Sequence, residues 1–352
     1  MSWDVVVVGG GVVGAAVFHE LADRGARVLL VERDRCGLGT TAWSGGIVRC
    51  YHDDPVLVER ALTGWRHFRD FAARTGIDVP FTESGFLYVP HPDRHAYARD
   101  LVRRGTGAPM EWLTPEQAER RFGHLLSAPV AGAVWEPEAG YLDPLDVTRA
   151  YLRAGSAKGG RVMEGVEVTG VLRRDGRTHG LRTGAGDLTA GTVVLATGAD
   201  TPRLLDAWGV PHDLWAQAIQ VELRRPDAPV TGHPAYMDDV HDVNGRPDPD
   251  TAGMLLGHPT GQRVPARSGG GPADPAQSAR AVAAGSARFR WAAGSEPLGA
   301  LRAAECYAPD PRARVGRLPD DPGLLLATGF SGGGFKMAPW AAEETARLTA
   351  RR

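Results

Sequence analysis

Residues 4–14, Asp4-Val5-Val6-Val7-Val8-Gly9-Gly10-Gly11-Val12-Val13-Gly14, decide the fold. Four valines read as a buried strand, the glycines as a turn, and Val12–Arg24 as a helix that Gly25 ends. Arg27–Glu32 is a second apolar strand. Strand, helix and strand together take about 30 residues, the length that a right-handed crossover between parallel strands requires. Gly9, Gly11 and Gly14 fit GxGxxG, with one glycine each for the tight turn, the close approach of a pyrophosphate and the packing of helix on strand. The backbone N–H groups and positive dipole of the helix N-terminus, at Val12 and Val13, then meet the phosphates. Glu32 ends the second strand, where an acid accepts hydrogen bonds from a ribose 2′-hydroxyl and repels a 2′-phosphate, which disfavours NADP. The alternative is a glycine-rich turn in an ordinary α/β protein. The context of strand, turn, helix, strand and acid favours dinucleotide binding.

Outside this unit the composition narrows the classes. The chain has 352 residues, 43% hydrophobic and 23% charged, about twice a typical domain of ~150 residues. A net charge of −2 gives no basic footprint for nucleic acid. No apolar run approaches the ~18 residues of a membrane span, and the N-terminus lacks the basic region of a signal peptide. Three scattered cysteines, Cys36, Cys50 and Cys306, support neither a disulfide framework nor a zinc site, so no metal and a cytoplasmic location are expected. Lysine occurs only at 158 and 336, a bias to be expected of a GC-rich genome.

Further along, 55–75 has helical spacing at Leu57, Ala61, Trp65, Phe68 and Ala72, with Gly76 as a stop. Phe81–Pro90 reads as a strand, with Phe86 and Tyr88 alternating against Leu87 and Val89. Thr114, Pro115 and Gln117 form a capping-box start for a helix over 114–123, and Asp143-Pro144 starts another that Gly159-Gly160 ends. Short strands follow near 161–171 and 178–190, then buried strands at Thr192–Ala196 and Leu324–Ala327, each closed by Thr-Gly. Residues 226–275 are the least regular, and 268–275 read as a loose loop. The pattern predicts a parallel-strand nucleotide domain interrupted by a more antiparallel one.

Two later segments bear on the cofactor. Val193–Gly198 delivers a small Thr-Gly turn after a buried strand, and Ala327–Lys336 is glycine-rich at Gly329, Gly332, Gly333 and Gly334. Glycines there let backbone N–H groups meet the pyrimidine edge of a flavin, where negative charge accumulates on reduction. The alternative is a flexible turn before the last helix.

Gly9–Gly14 with Glu32, Gly140–Pro144, Ala196-Thr197-Gly198 and Gly329–Lys336 together resemble the D-amino-acid-oxidase-type flavoproteins, in the sarcosine oxidase-like subgroup. The resemblance covers nearly the whole chain and weakens between about 225 and 300. It implies an α/β, overall α+β, protein with a glutathione-reductase-type Rossmann FAD domain (1–80, 141–215 and 300–352). A mixed or antiparallel-sheet substrate domain (81–140 and 216–299) is inserted in it. The implied cofactor is FAD, and the implied reaction is oxidation of an amino or imino acid at its C–N bond by hydride transfer to flavin N5. Oxygen or another acceptor takes the electrons. The expected cofactor residues also include Arg33, Thr40, Thr41, Val166, Phe335 and Lys336.

For the substrate, Gly46–Arg49 is similar to a family segment whose last arginine clamps a carboxylate, a task suited to a planar fork. Lys336 matches a family lysine that adds a second positive charge. A solvated surface arginine is the alternative for Arg49. His258 and Tyr307 are further candidates, a structural histidine being equally compatible with His258. Family oxidases carry a lysine beside the flavin that promotes reaction with oxygen; the matching segment here is Gly253–Gly257, with Leu255 at that position. The departure leaves both an oxidase and a dehydrogenase with another acceptor open. Cys306 resembles a family cysteine that bonds to FAD, but its segment is shortened, so a buried cysteine and non-covalent FAD are expected. A flavin monooxygenase and an electron-relay subunit are the competing classes.

Overall fold

A computed structural model describes residues 2–265 and 271–350. The N-terminal unit forms as the valine run dictates. Trp3–Val8 lies parallel to Val28–Val31 on one side and to Gly186–Leu195 on the other, with helix Val12–Asp23 crossing between the first two. Asp321–Thr328 extends the sheet in parallel beyond Gly186–Leu195, pairing Leu324–Leu326 with Val193–Leu195. The valines, Leu29, Leu30 and Leu324–Leu326 are buried because helices cover one sheet face and further chain the other. Such strands read as continuous apolar runs, which is why they were legible.

A second eight-stranded sheet follows the order Glu296–Tyr307, Trp215–Arg225, Gly253–Gly257, Val243–Asp248, Ala235–Asp238, Phe86–Val89, Ala133–Glu136, Glu111–Leu113. Its pairs are antiparallel except Ala235–Asp238 against Phe86–Val89. The first sheet is parallel only at its centre, since Arg314–Leu318, Arg177–Thr183 and Val168–Arg174 join it in antiparallel pairs. The fold is therefore mixed α/β, a sheet with a parallel centre joined to a largely antiparallel one.

Local signals held where side chains make the cap. Thr114 and Gln117 form the capping box, and Asp143 accepts from Asp146 N at 2.8 Å to start helix Pro144–Ala157. The 55–75 helix divides at Asp70 into Pro55–Arg69 and Phe71–Thr75, and Gly76 closes it at φ 72°. The 81–90 strand shortens to Phe86–Val89, with Phe86 and Tyr88 packed in one cluster and Leu87 and Val89 in another. Residues 226–275 are more regular than expected, since three short strands fall within them. Pro247 is tolerated because it pairs only with Met254, beyond the contact of its strand with Ala235–Asp238. Of the 268–275 loop, 268–270 lie outside the described residues, and Pro275 already begins helix Pro275–Arg288.

Candidate active site

The glycine turn works by close approach. Gly9 sits at φ 106°, and a Cβ there would meet Ala196 O at 2.4 Å; one at Gly14 would meet Gly9 O at 1.9 Å. Helix Val12–Asp23 thus packs directly on the turn, with Thr41 Oγ1 accepting from Val12 N at 3.0 Å. Glu32 closes the adjoining strand end, accepting from Gly10 N at 2.7 Å and from Asp34 N at 3.0 Å.

These groups open onto a cavity of about 500 Å³. Its walls include Gly9, Gly11, Val12, Val13, Glu32, Arg33, Thr40, Thr41, Val166, Ala196, Thr197, Gly198, Gly329, Gly332, Gly334 and Phe335, all expected from sequence. Gly14 stands behind the wall, against Gly9, and Gly333 is folded under the loop by its bond to Phe330 O. Lys336 is also outside the wall. The last helix, Gly334–Ala350, begins at the cavity after Ser331 and Gly332, both at positive φ, so a second helix N-terminus faces it.

Residues that the sequence reading missed also contribute. Asp200 receives both Arg33 (3.1 Å) and Arg203 (2.8 and 2.7 Å), which holds two cations in the cavity wall. Glu305 also lines the cavity. Strand pairing sets Gln217 opposite Glu305 and Trp215 opposite Tyr307. Glu305 and Tyr307 therefore share one face, and Cys306 turns to the other, among Leu195, Leu214 and Leu324, although its residue still borders the cavity. Period-2 alternation from Cys306 was the available signal for Glu305.

Arg49 is buried, 7% exposed, and so is not a surface arginine. It lies by the rings of Phe86 (5.2 Å) and Tyr88 (5.9 Å), donating to Tyr51 O and to Met237 Sδ. Buried Glu136 fixes this segment by accepting from Cys50 N (2.6 Å) and Tyr51 N (3.0 Å); burial pushes its carboxyl up against those two bonds. Lys336 is buried too, and burial, with Arg49 nearby, pushes its ammonium down to about 7 against the opposing pull of Glu305 and Glu136. The same two cations, after burial, hold the His52 imidazole well below its ordinary range, and His52 Nε2 has no partner among the described residues. Arg49 and Lys336 thus belong to one buried charged cluster with Glu136 and His52.

The remaining candidates sit elsewhere. His258 places Nδ1 against Pro259 O at 3.0 Å, next to Gln277, and is not a wall residue. Tyr307 stacks on Trp215 at 6.1 Å, with burial raising its hydroxyl. Leu255 pairs with Leu223 and Arg246 within the antiparallel sheet. No group of three or more metal-ligating side chains occurs among the described residues, and no helix among them is long and apolar enough to cross a membrane.

The family described as FAD dependent oxidoreductase (DAO) matches residues 4–348. The chain belongs to the FAD-dependent oxidoreductase (DAO) family. It is similar to the 4-methylaminobutanoate oxidase (formaldehyde-forming) of Paenarthrobacter nicotinovorans, 29% identical over 97% of this chain but only 43% of that protein. It is also similar to the monomeric sarcosine oxidase of Streptomyces avermitilis, 30% identical over 99% of this chain and 93% of the other. Among solved structures, an L-proline dehydrogenase from P. horikoshii superposes with a TM-score of 0.87 at 24% identity, covering 99% and 93% of the two chains, and shares the fold. The cavity fits the FAD that the family uses. Only glycine fits at 9 and 14, and an acid, Glu32, and a helix start, Val12, both line the cavity, the groups that suit a ribose and a pyrophosphate.

Proposed function

We propose that this protein oxidises the C–N bond of an amino, N-alkyl amino or cyclic imino acid to an imine. The carrying observation is the buried Arg49 and Lys336 pair, with Lys336 following directly on Phe335 of the cavity wall. Glu136, committed to two backbone N–H groups, is the anion already in the cluster, and a substrate carboxylate adds one in a form that Arg49 can bind with two parallel hydrogen bonds. FAD, when bound, accepts the hydride. The chain's own part is to orient the substrate through Arg49 and Lys336 and to hold the Arg49 segment through Glu136. Neutral His52 keeps an unpartnered ring nitrogen in the same buried cluster.

FAD is held without a covalent link in this reading, because Cys306 packs its face into an apolar cluster and burial raises its thiol. Leucine at 255 supports an acceptor other than oxygen, since no ammonium stands there to stabilise developing superoxide. Three free cysteines fit a reducing, cytoplasmic setting. The test is anaerobic mixing of the yellow protein with a panel of amino and imino acids and their decarboxylated amines. Bleaching by carboxylated members alone is expected. Bleaching by NADPH and by no amino acid would replace this reading with a monooxygenase.

A further inference from the structure

Glu305 is an acid that the proposed chemistry leaves unused. It projects from strand Glu296–Tyr307 to the cofactor cavity, and a Cβ placed on Gly332 would come within 3.8 Å of its Oε2. The carboxylate therefore lies against the glycine loop, 329–334, that lines the cavity. It forms no hydrogen bond or ion pair among the described residues. The titratable groups around it are Lys336 on the last helix and Tyr307 and Cys306 on its own strand; Arg49, Glu136 and His52 lie beyond Lys336. The strand opposite contributes Gln217, which is neutral.

We propose that Glu305 is a redox-tuning residue, a carboxylate beside the flavin whose charge opposes reduction and which takes up a proton when reduction occurs. An unpaired carboxylate in a poorly solvated wall responds strongly to any charge brought next to it. Burial, opposed by Lys336, already pushes Glu305 up to about 7, so it can change state near neutrality. Reduction delivers two electrons and a proton to the flavin, leaving one net negative charge on the ring. That charge favours transfer of a further proton from solvent to Glu305, converting carboxylate to carboxylic acid. By linkage, ionised Glu305 disfavours reduction to the same degree. The inference rests on FAD occupying this cavity and not on the amino-acid reading, so a failed substrate screen leaves it standing.

The experiment is potentiometric titration of the FAD-loaded protein between pH 6 and pH 9, with dithionite as reductant and no substrate. The midpoint potential of the native protein should fall with pH more steeply than that of Glu305→Gln. The variant should have the higher potential above pH 7, where native Glu305 is ionised, and the two should converge near pH 6. Parallel lines of equal potential overturn the proposal. The oxidised native protein provides a measurement that needs no variant at residue 305. Its flavin absorption should shift around pH 7, and the shift should persist in Lys336→Met. A spectrum constant from pH 6 to 9, or a shift lost with Lys336, also overturns it.

Discussion

Arg49 and Lys336 are expected to bind the same carboxylate, yet they should contribute differently as pH changes. Arginine stays charged throughout, whereas burial sets Lys336 near 7, so its positive charge is present below that value and lost above it. A bound carboxylate favours the charged form. Affinity for a carboxylate inhibitor should therefore fall as pH rises through 7, by up to about tenfold per unit from Lys336 alone. Equilibrium binding followed by flavin difference spectra should show a shallower slope in Lys336→Met, the remainder belonging to Glu305. An unchanged slope would remove Lys336 from the clamp. Arg49→Ala should weaken binding at every pH, by ~2–5 kcal/mol for a desolvated pair, or roughly 30-fold to several thousand-fold. FAD content should stay constant, which distinguishes lost substrate contact from lost folding.

Helix Pro55–Arg69 carries a glycine at 64 that ordinary helix energetics disfavour, by about 1 kcal/mol against alanine. The last helix explains it. A Cβ on Gly64 would lie 1.7 Å from Lys336 O, so the two helices cross in contact at the residue that bears the buried ammonium. Gly64→Ala should lower stability by ~1–3 kcal/mol in urea denaturation, despite the better helix former. It should also weaken carboxylate binding by moving Lys336. A stabilised variant with normal binding would show that the crossing is loose. Gly64 was not legible in sequence, because its reason stands more than 250 residues away. Caps were legible, since Thr114 with Gln117 and Asp143 with Asp146 act within three residues. So was the Rossmann unit, which is local to residues 3–31. The short strands within 226–275 were hidden by Gly and Asp at their ends and by Gly245 and Pro247 inside Val243–Asp248. Glu305 was hidden because a strand's phase decides whether it or Cys306 meets the cofactor, and pairing with Trp215–Arg225 sets that phase.

At the scale of the molecule, the cavity draws its walls from Val8 to Phe335, nearly the whole length of the chain. The parallel sheet supplies the glycine turn and Glu32, and strand Glu296–Tyr307 of the antiparallel sheet supplies Glu305, so a cofactor between them ties both sheets to one another. Binding to the folded state alone stabilises it by RT ln(1 + [FAD]/Kd), ~2.7 kcal/mol at a hundredfold excess over Kd. Unfolding entropy of ~2.1 cal/mol/K per residue over 352 residues turns that into a rise in Tm of about 4 °C for a chain melting as one unit. Protein stripped of FAD should therefore melt lower, and Tm should climb with the logarithm of added FAD. FMN should raise it less, because it lacks the adenosine whose ribose Glu32, a residue of the cavity wall, is expected to bind. Glu32→Ala should narrow the difference between the two flavins without abolishing the FMN effect. Equal shifts from FAD and FMN in the native protein, measured by scanning calorimetry at matched flavin concentration, would remove Glu32 from the cofactor site.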